Sequence, residues 1–253
     1  MLPDSIIARR SFLQAPLIAG LLLAPSLAGA DGVRCVVELF TSQGCSSCPP
    51  ADALLGRMAR DASVLAVSFP VDYWDYIGWK DTLASPAFTA RQKNYSLARG
   101  DGQVYTPQVV IDGLKHAVGS DADEINEVIA ALGKRQGPLS VDMRVSEAAD
   151  KIRIDVGAAA PGGPKAGGLW LLHIAKAVTV AIGRGENAGR TVTYTNVVRA
   201  ISKIGEWNGA ATSFEIPAGR TKGEDSNAYA LVLQAGTSAA PGAILAAAKG
   251  ADL

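Results

Sequence analysis

An apolar run, CVVELF (35–40), is followed after TSQG by two cysteines in the pattern CSSC (45–48), and then at once by two prolines. No other stretch restricts the fold of this chain as strongly. A short, Val-rich and nearly continuous apolar segment reads as a buried strand. Beyond the cysteines, Ala53, Leu54, Leu55 and Met58 recur at helical spacing as far as about Arg60. Pro49 and Pro50 would break a helix interior, but in the first turn the missing N–H groups have no intrahelical partner to lose. The sequence therefore predicts a strand, a turn and a helix, with both cysteines at the helix start.

That placement gives the pair a chemistry. Residues at i and i+3 in a first helical turn have Cα atoms roughly 5–6 Å apart, within disulfide range. Cys45 lies where the helix dipole and free N–H groups favour an anion. A thiolate there is the attacking species in disulfide exchange, and Cys48, one turn inside, is placed to resolve the mixed disulfide. Two other uses compete. A zinc site needs two further Cys or His ligands, and the only histidines, His116 and His173, fall far apart in the chain. A permanent structural clip would close a very short loop and gain little chain entropy. The remaining cysteine, Cys35, reads as an inert buried strand residue or as a surface thiol near a processed N-terminus.

The first thirty residues explain why a disulfide is permissible. Arg9 and Arg10 precede SFLQ, then a short run of apolar and small residues ends in Ala28-Gly29-Ala30, an A-x-A cleavage pattern. RRSFLQ resembles a twin-arginine export signal, so residues 1–30 are expected to be removed and the mature chain to begin at Asp31 in a periplasmic or secreted location. Disulfides persist outside the cytoplasm. The 24 acidic and 24 basic side chains balance, which gives no electrostatic reason to expect nucleic acid or an anionic membrane as partner.

Along residues 31–137 the pattern alternates. SVLAVSFPVD (63–72) reads as a strand. Ser85 and Pro86 open a helix running to Arg99. Val109–Ile111 and LKHAVG (114–119) form a hairpin about Asp112-Gly113. Asp121 and Glu124 have capping-box spacing ahead of a last helix. This is an α/β layer with a mixed sheet, and Gly137-Pro138 is the expected boundary. Residues 138–253 instead show seven alternating apolar segments separated by turn signals, which predicts a second domain, an antiparallel β-sandwich of short strands.

Thr106-Pro107 opens a strand that should be central, where proline cannot donate to the ladder. A cis X-Pro bond beside a functional site is one explanation, a trans proline at a sheet edge the other. With the cysteine pair at a strand–helix junction, this order of elements resembles the thioredoxin fold. The match narrows on VVELFTSQGCSSCPPADALL, VDYWDYIGWKD, YTPQVVIDG and GRGENAGRTVTYTNVVRAI. These resemble the secreted thioredoxin-like proteins of the domain-of-unknown-function 1223 family across nearly the whole mature chain.

The resemblance implies that Thr106 and Pro107 complete the site and bind substrate polypeptide, and that an acid on the first strand, Glu38, assists proton transfer. On the residues alone, Glu38 is equally a strand carboxylate paired with Arg or Lys. Trp74 and Tyr76, in DYWDYIGWKD, would give an apolar rim for substrate or a satellite core. The chain departs from typical thioredoxins in having Gly44 in place of Trp before the first cysteine, Ser46-Ser47 between the cysteines, and Pro49 directly after them. The function expected is an exported thiol–disulfide oxidoreductase acting on protein or peptide thiols, with the Cys45–Cys48 disulfide as its only redox group and no organic cofactor. The alternative is a non-catalytic binding module for a periplasmic partner or a soft metal such as Cu(I).

Overall fold

In the computed structural model, which describes residues 32–134, 138–223 and 225–253, the opening apolar run becomes strand β1 (Cys35–Thr41), buried along its whole length. The expected export signal and Gly137 lie outside the described residues. Because successive side chains alternate, β1 feeds two cores. Val37 and Leu39 pack with Leu54 and Leu55 of helix α1 (Pro49–Met58) and with Ile125 of helix α3 (Ala122–Leu132). Val36 and Phe40 point the other way, against Phe88 and Tyr95 of helix α2 (Pro86–Arg99) and Phe69 of strand β2 (Val64–Pro70). The aromatic contacts there are specific. Phe40 stacks on Phe69 at 5.5 Å between centroids, and Phe69 meets Phe88 edge-on at 5.2 Å. Such pairs contribute about 0.5–1.5 kcal/mol each beyond their buried area.

The helix boundaries follow local chemistry. Ser85 has extended backbone and its hydroxyl accepts the Ala87 N–H at 3.3 Å, with Pro86 in the first turn. Asp121 caps α3 through the Glu124 N–H at 2.9 Å, while the Glu124 carboxylate turns to the Val118 N–H at 3.3 Å. The capping-box spacing is thus used on one side only. β1 pairs parallel with β2 across the α1 connection, and antiparallel with strand β3 (Gln108–Ile111), which turns back into β4 (Lys115–Val118).

Seven strands follow at the places the alternation marked: β5 (Met143–Glu147), β6 (Lys151–Val156), β7 (Gly167–Ala181), β8 (Thr191–Trp207), β9 (Thr212–Pro217), β10 (Ala228–Gly236) and β11 (Pro241–Lys249). Their assembly differs from the expectation. Four of them join the first four strands in one eight-stranded mixed sheet, ordered β11-β10-β7-β8-β2-β1-β3-β4. The junction is a parallel register at Ser68 and Val197, between β2 and β8. The sheet therefore runs through the point where a domain boundary was expected. β7 and β8 are also not short: they have 15 and 17 residues, roughly 50 Å of extended chain. The other three strands form a small sheet, β5-β6-β9. Ile152, Ile154 and Ile216 of that sheet pack over Leu171, Leu231 and Leu245 of the large one.

The large sheet curls around α2. The Ile244 N–H of β11 donates to the Asp112 carbonyl of the β3–β4 turn at 2.9 Å, so strands from the far edge return to the first half. Inside this curl sits a polar cluster. Arg91 Nη2 donates to Glu38 Oε1 at 2.7 Å, to Tyr95 Oη at 2.7 Å and to Gln234 Oε1 at 3.1 Å. Gln234 Nε2 in turn donates to Tyr95 Oη at 2.7 Å. One carboxylate thus links β1, α2 and β10. No helix among the described residues is long and apolar enough to cross a membrane.

Removing one partner of a buried pair leaves the other charge uncompensated. Glu38→Ala should lower unfolding free energy by about 3–5 kcal/mol. The double substitution Glu38→Leu with Arg91→Met should cost clearly less than Glu38→Ala. Urea denaturation of both variants checks this; equal losses would show that the charge pairing is not what matters here.

Candidate functional site

Cys45 and Cys48 form a disulfide with Cα atoms 5.4 Å apart. Cys48 is the N-cap of α1 and already has helical backbone angles; the prolines occupy the first helical positions, as their lost N–H groups permit. The Cys48 carbonyl accepts the Ala51 and Asp52 N–H groups at 2.9 and 3.1 Å, which starts the helix directly from the disulfide. Ser46 and Ser47 between the cysteines are exposed. The cysteines themselves are covered, with 1% and 0% of their surface accessible.

Three segments cover them. The first is the stretch that carries Trp74. A Cβ on Gly44 would lie 3.1 Å from Trp74 Cβ, so the backbone before Cys45 passes directly beneath this side chain. Trp74 Nε1 donates to Thr106 Oγ1 at 2.7 Å. Trp74 thus spans from the cysteine loop to the Thr106-Pro107 segment, whose peptide bond is cis. Tyr76 stacks on Trp74 at 6.4 Å and is 80% exposed. The second is the Thr106-Pro107 segment itself. A Cβ on Gly119 would sit 3.1 Å from Pro107 Cβ and 3.2 Å from Ala51 Cβ, so Pro107 lies a side chain's breadth from the first turn of α1.

The third was not expected. The tip of the β7–β8 hairpin (182–190) reaches the cysteine loop from more than a hundred residues away. Asn187 Nδ2 donates to the Gln43 carbonyl at 2.9 Å and to the Cys45 carbonyl at 2.8 Å, and this side chain is buried. The Glu186 carboxylate accepts the Ser46 N–H at 3.3 Å. Trp79 packs against Gly183 and Gly185 of the tip and donates through Nε1 to Gln43 Oε1 at 2.8 Å. In the sequence, GRGENAG entered only as part of a stretch of family resemblance. An Asn within it gave no sign of a distant target.

Glu38 is not part of this assembly. Its side chain shares a face of β1 with Val36 and Phe40, opposite α1, and is held by Arg91. A role beside the cysteines is corrected by the strand alternation: residues two apart share a face, and the face Glu38 shares meets α2. A different acid occupies the neighbourhood. Asp52 follows Cys48 by four residues on the same side of α1 and is 3% exposed. Thr41 Oγ1, at the end of β1, donates to Asp52 Oδ1 at 2.8 Å, while Oδ2 has no hydrogen-bond partner. Burial raises the Asp52 carboxyl from its ordinary 3.8 to about 7, with the Thr41 hydroxyl opposing and the Asp81 carboxylate adding to the rise. Asp81 is itself raised by burial, although the Gln43, Leu83 and Ala84 N–H groups all donate to it. Cys35 is buried and free, and burial pushes its thiol well up, so the surface-thiol alternative does not hold. Among the described residues no three His, Cys, Asp or Glu side chains are grouped to hold a metal ion.

Residues 36–234, which include all three covering segments, match the family described as "Protein of unknown function (DUF1223)". The chain is similar to an Agrobacterium tumefaciens protein of known crystal structure, with 34% sequence identity and a TM-score of 0.77; the match covers 87% of this chain and 94% of that one. It is also similar to HBP35 of Porphyromonas gingivalis, at 13% identity and a TM-score of 0.54 over 87% of this chain and 75% of that one, a likeness of fold alone. No curated protein matches.

Two outcomes follow from this geometry. Asn187→Ala removes the two hydrogen bonds that Asn187 makes to the cysteine loop and leaves the Glu186 contact to Ser46 in place. It should raise the rate at which dithiothreitol reduces the disulfide by up to about thirtyfold, since two lost hydrogen bonds at ~1 kcal/mol each come to ~2 kcal/mol; an unchanged rate would show that the tip does not control access. The second concerns pH. A carboxyl held up to about 7 when folded and ordinary when unfolded releases its proton earlier in the unfolded chain. Folding stability should therefore fall as pH rises from about 4 through about 7, by no more than roughly 4 kcal/mol. Asp52→Asn should be more stable than wild type at pH 8 and indistinguishable near pH 4, as thermal unfolding at the two pH values would show.

Proposed function

The chain belongs to the DUF1223 family of proteins of unknown function, and we propose that it is an exported thiol–disulfide oxidoreductase with a thioredoxin-like first half. The observation that carries this reading is the Cys45–Cys48 disulfide at the start of α1, with the Thr106-Pro107 segment and Trp74 beside it. The order β2-β1-β3-β4, with β1 and β2 parallel and α1 and α3 on one face, supports the thioredoxin-like assignment. The β5-β6-β9 sheet and the strands it packs on are read as a sandwich-like part built onto the same main sheet.

Cys45 is the sulfur that exchanges with substrate. It is nearer the helix end, and the exposed Ser46-Ser47 turn lies beside it. Cys48 is the resolving thiol, held deeper in the first turn of α1. Thr106 and the exposed ring of Tyr76 flank the approach and suit an extended peptide with apolar side chains. The substrates are protein or peptide thiols and disulfides, and the two cysteines are the redox group, with no organic cofactor. Access is the restriction. Substrate reaches Cys45 only when the 182–190 tip gives way, and the Ser46 N–H held by Glu186 is then released toward the sulfur.

In Cys48→Ser the resolving step is lost. After reduction, Cys45 should form a mixed disulfide with a model peptide disulfide that persists for hours. In the wild type the same adduct should clear, with recovery of the intramolecular bond. Mass spectrometry of the intact protein distinguishes these. Failure of Cys45 to form any adduct in Cys48→Ser would remove the catalytic reading and leave the disulfide as a structural clip.

A further inference from the structure

We propose that the carbonyls of Gln43 and Cys45 form a receptor for a primary nitrogen on the substrate, an ammonium or carboxamide beside its cysteine, and that Asn187 occupies this place until substrate displaces it. The inference rests on the oxidoreductase reading of the same disulfide and adds to it what a substrate needs besides its sulfur.

The receptor is defined by what fills it. Asn187 Nδ2 donates to the Gln43 carbonyl at 2.9 Å and to the Cys45 carbonyl at 2.8 Å. Two acceptors thus converge on one nitrogen. A main-chain N–H has a single hydrogen and cannot serve both. The group that belongs here carries at least two, as a carboxamide or a lysine ammonium does. The Cys45 carbonyl also accepts the Cys48 N–H at 3.2 Å, but the Gln43 carbonyl has no acceptor role other than toward Asn187 among the described residues. Cys45 is also the residue whose sulfur exchanges, so a nitrogen on its carbonyl is held close to the reacting atom.

Asn187 fits this place incompletely. Its Oδ1 is buried and has no hydrogen-bond partner among the described residues. A buried acceptor left unpaired is costly, and the receptor offers it carbonyls rather than donors. An ammonium, which only donates, leaves nothing unsatisfied there. Acids lie on both sides of the receptor: the Glu186 carboxylate accepts the Ser46 N–H at 3.3 Å, and the Asp81 carboxylate accepts the Gln43 N–H at 2.8 Å. The exposed Arg184 and Arg190 are carried on the tip and move off with it. Little else holds the tip down. From Ile182 to Arg190 only Ile182 and Asn187 are buried, and Gly183 and Gly185 meet Trp79 with no side chain of their own. Apart from the Glu186 contact, withdrawing one carboxamide frees the cysteine loop. A substrate nitrogen that takes over both carbonyls then keeps the tip away.

The test uses peptides that differ only in the residues on either side of one cysteine, with lysine, glutamine or norleucine there. Each is linked through that cysteine to thionitrobenzoate. The reduced Cys45 thiolate attacks the peptide sulfur, a new S–S bond forms, and thionitrobenzoate leaves with the electron pair, so its colour gives the rate. In wild type at low peptide concentration the lysine and glutamine peptides should react at least tenfold faster than the norleucine peptide, because only they can engage both carbonyls. Asn187→Ala should speed all three and keep their order. Added acetamide, which replaces the missing carboxamide, should slow reduction of that variant by dithiothreitol, while dimethylacetamide, which has no N–H, should not. Equal rates for the three peptides overturn the proposal and leave the oxidoreductase reading standing. So does a lysine preference that glutamine does not share and that vanishes in high salt, since that is charge steering alone, and so do equal effects of the two amides. If no peptide releases thionitrobenzoate with either protein, the oxidoreductase reading fails and this inference fails with it.

Discussion

The carboxylate of Glu38 is the fixed point of this structure. It lies on β1, the strand that leads into the cysteines, and it faces away from them. Burying it unpaired would be costly. Arg91 from α2 meets it at 2.7 Å, Tyr95 shares the guanidinium, and Gln234 from β10 closes the cluster. The pairing has a topological consequence. α2 is tied to the middle of β1 on one side and to β10 on the other, and the sheet curls to bring both within reach. The hydrogen bond from Ile244 to Asp112 completes that curl at the opposite edge. The second half of the chain is therefore held against the first by a desolvated polar cluster as well as by apolar packing.

A second consequence reaches the disulfide. Because β7 and β8 are built into the main sheet beside β2, their long hairpin extends along it, and the turn at 182–190 lands on the cysteine loop. Asn187 lies more than a hundred residues from Trp74 and Trp79, yet all three touch residues 43–45. The disulfide is covered by an extension of the same sheet that leads into it. The cover is polar at its closest points and rests on few hydrogen bonds. Segments held in this way open at lower free energy than the packed core does.

Much of the first half was legible because local chemistry dictates it. Ser85-Pro86 and Asp121 announce helix starts through side-chain oxygens and a missing N–H, and both helices begin there. Val and Ile runs announce buried strands, and the seven later strands also fall where alternation placed them. The acids were harder to read. In CVVELF the position of Glu38 on a strand was clear, but which core it faced was not, since alternation fixes relative sides only. Asp52 carries no signal of its own in the sequence, since an acid in a first helical turn is what the dipole favours anywhere. Its burial under β8 and the Asp81 segment was invisible, because both coverings come from other parts of the chain.

The sequence by itself determined a cysteine pair at a helix start and the alternation of seven later strands. Each depends on interactions spanning a few residues, so a local reading suffices. The tertiary structure decided that four of these strands extend the first sheet, that a distant hairpin covers the cysteines, and that Asp52 is buried against Thr41 while Glu38 belongs to Arg91. Those outcomes rest on desolvation. Whether a carboxyl is paired, protonated or exposed depends on what is packed over it, and Arg91 over Glu38 and Tyr194 over Asp52 both come from more than fifty residues away.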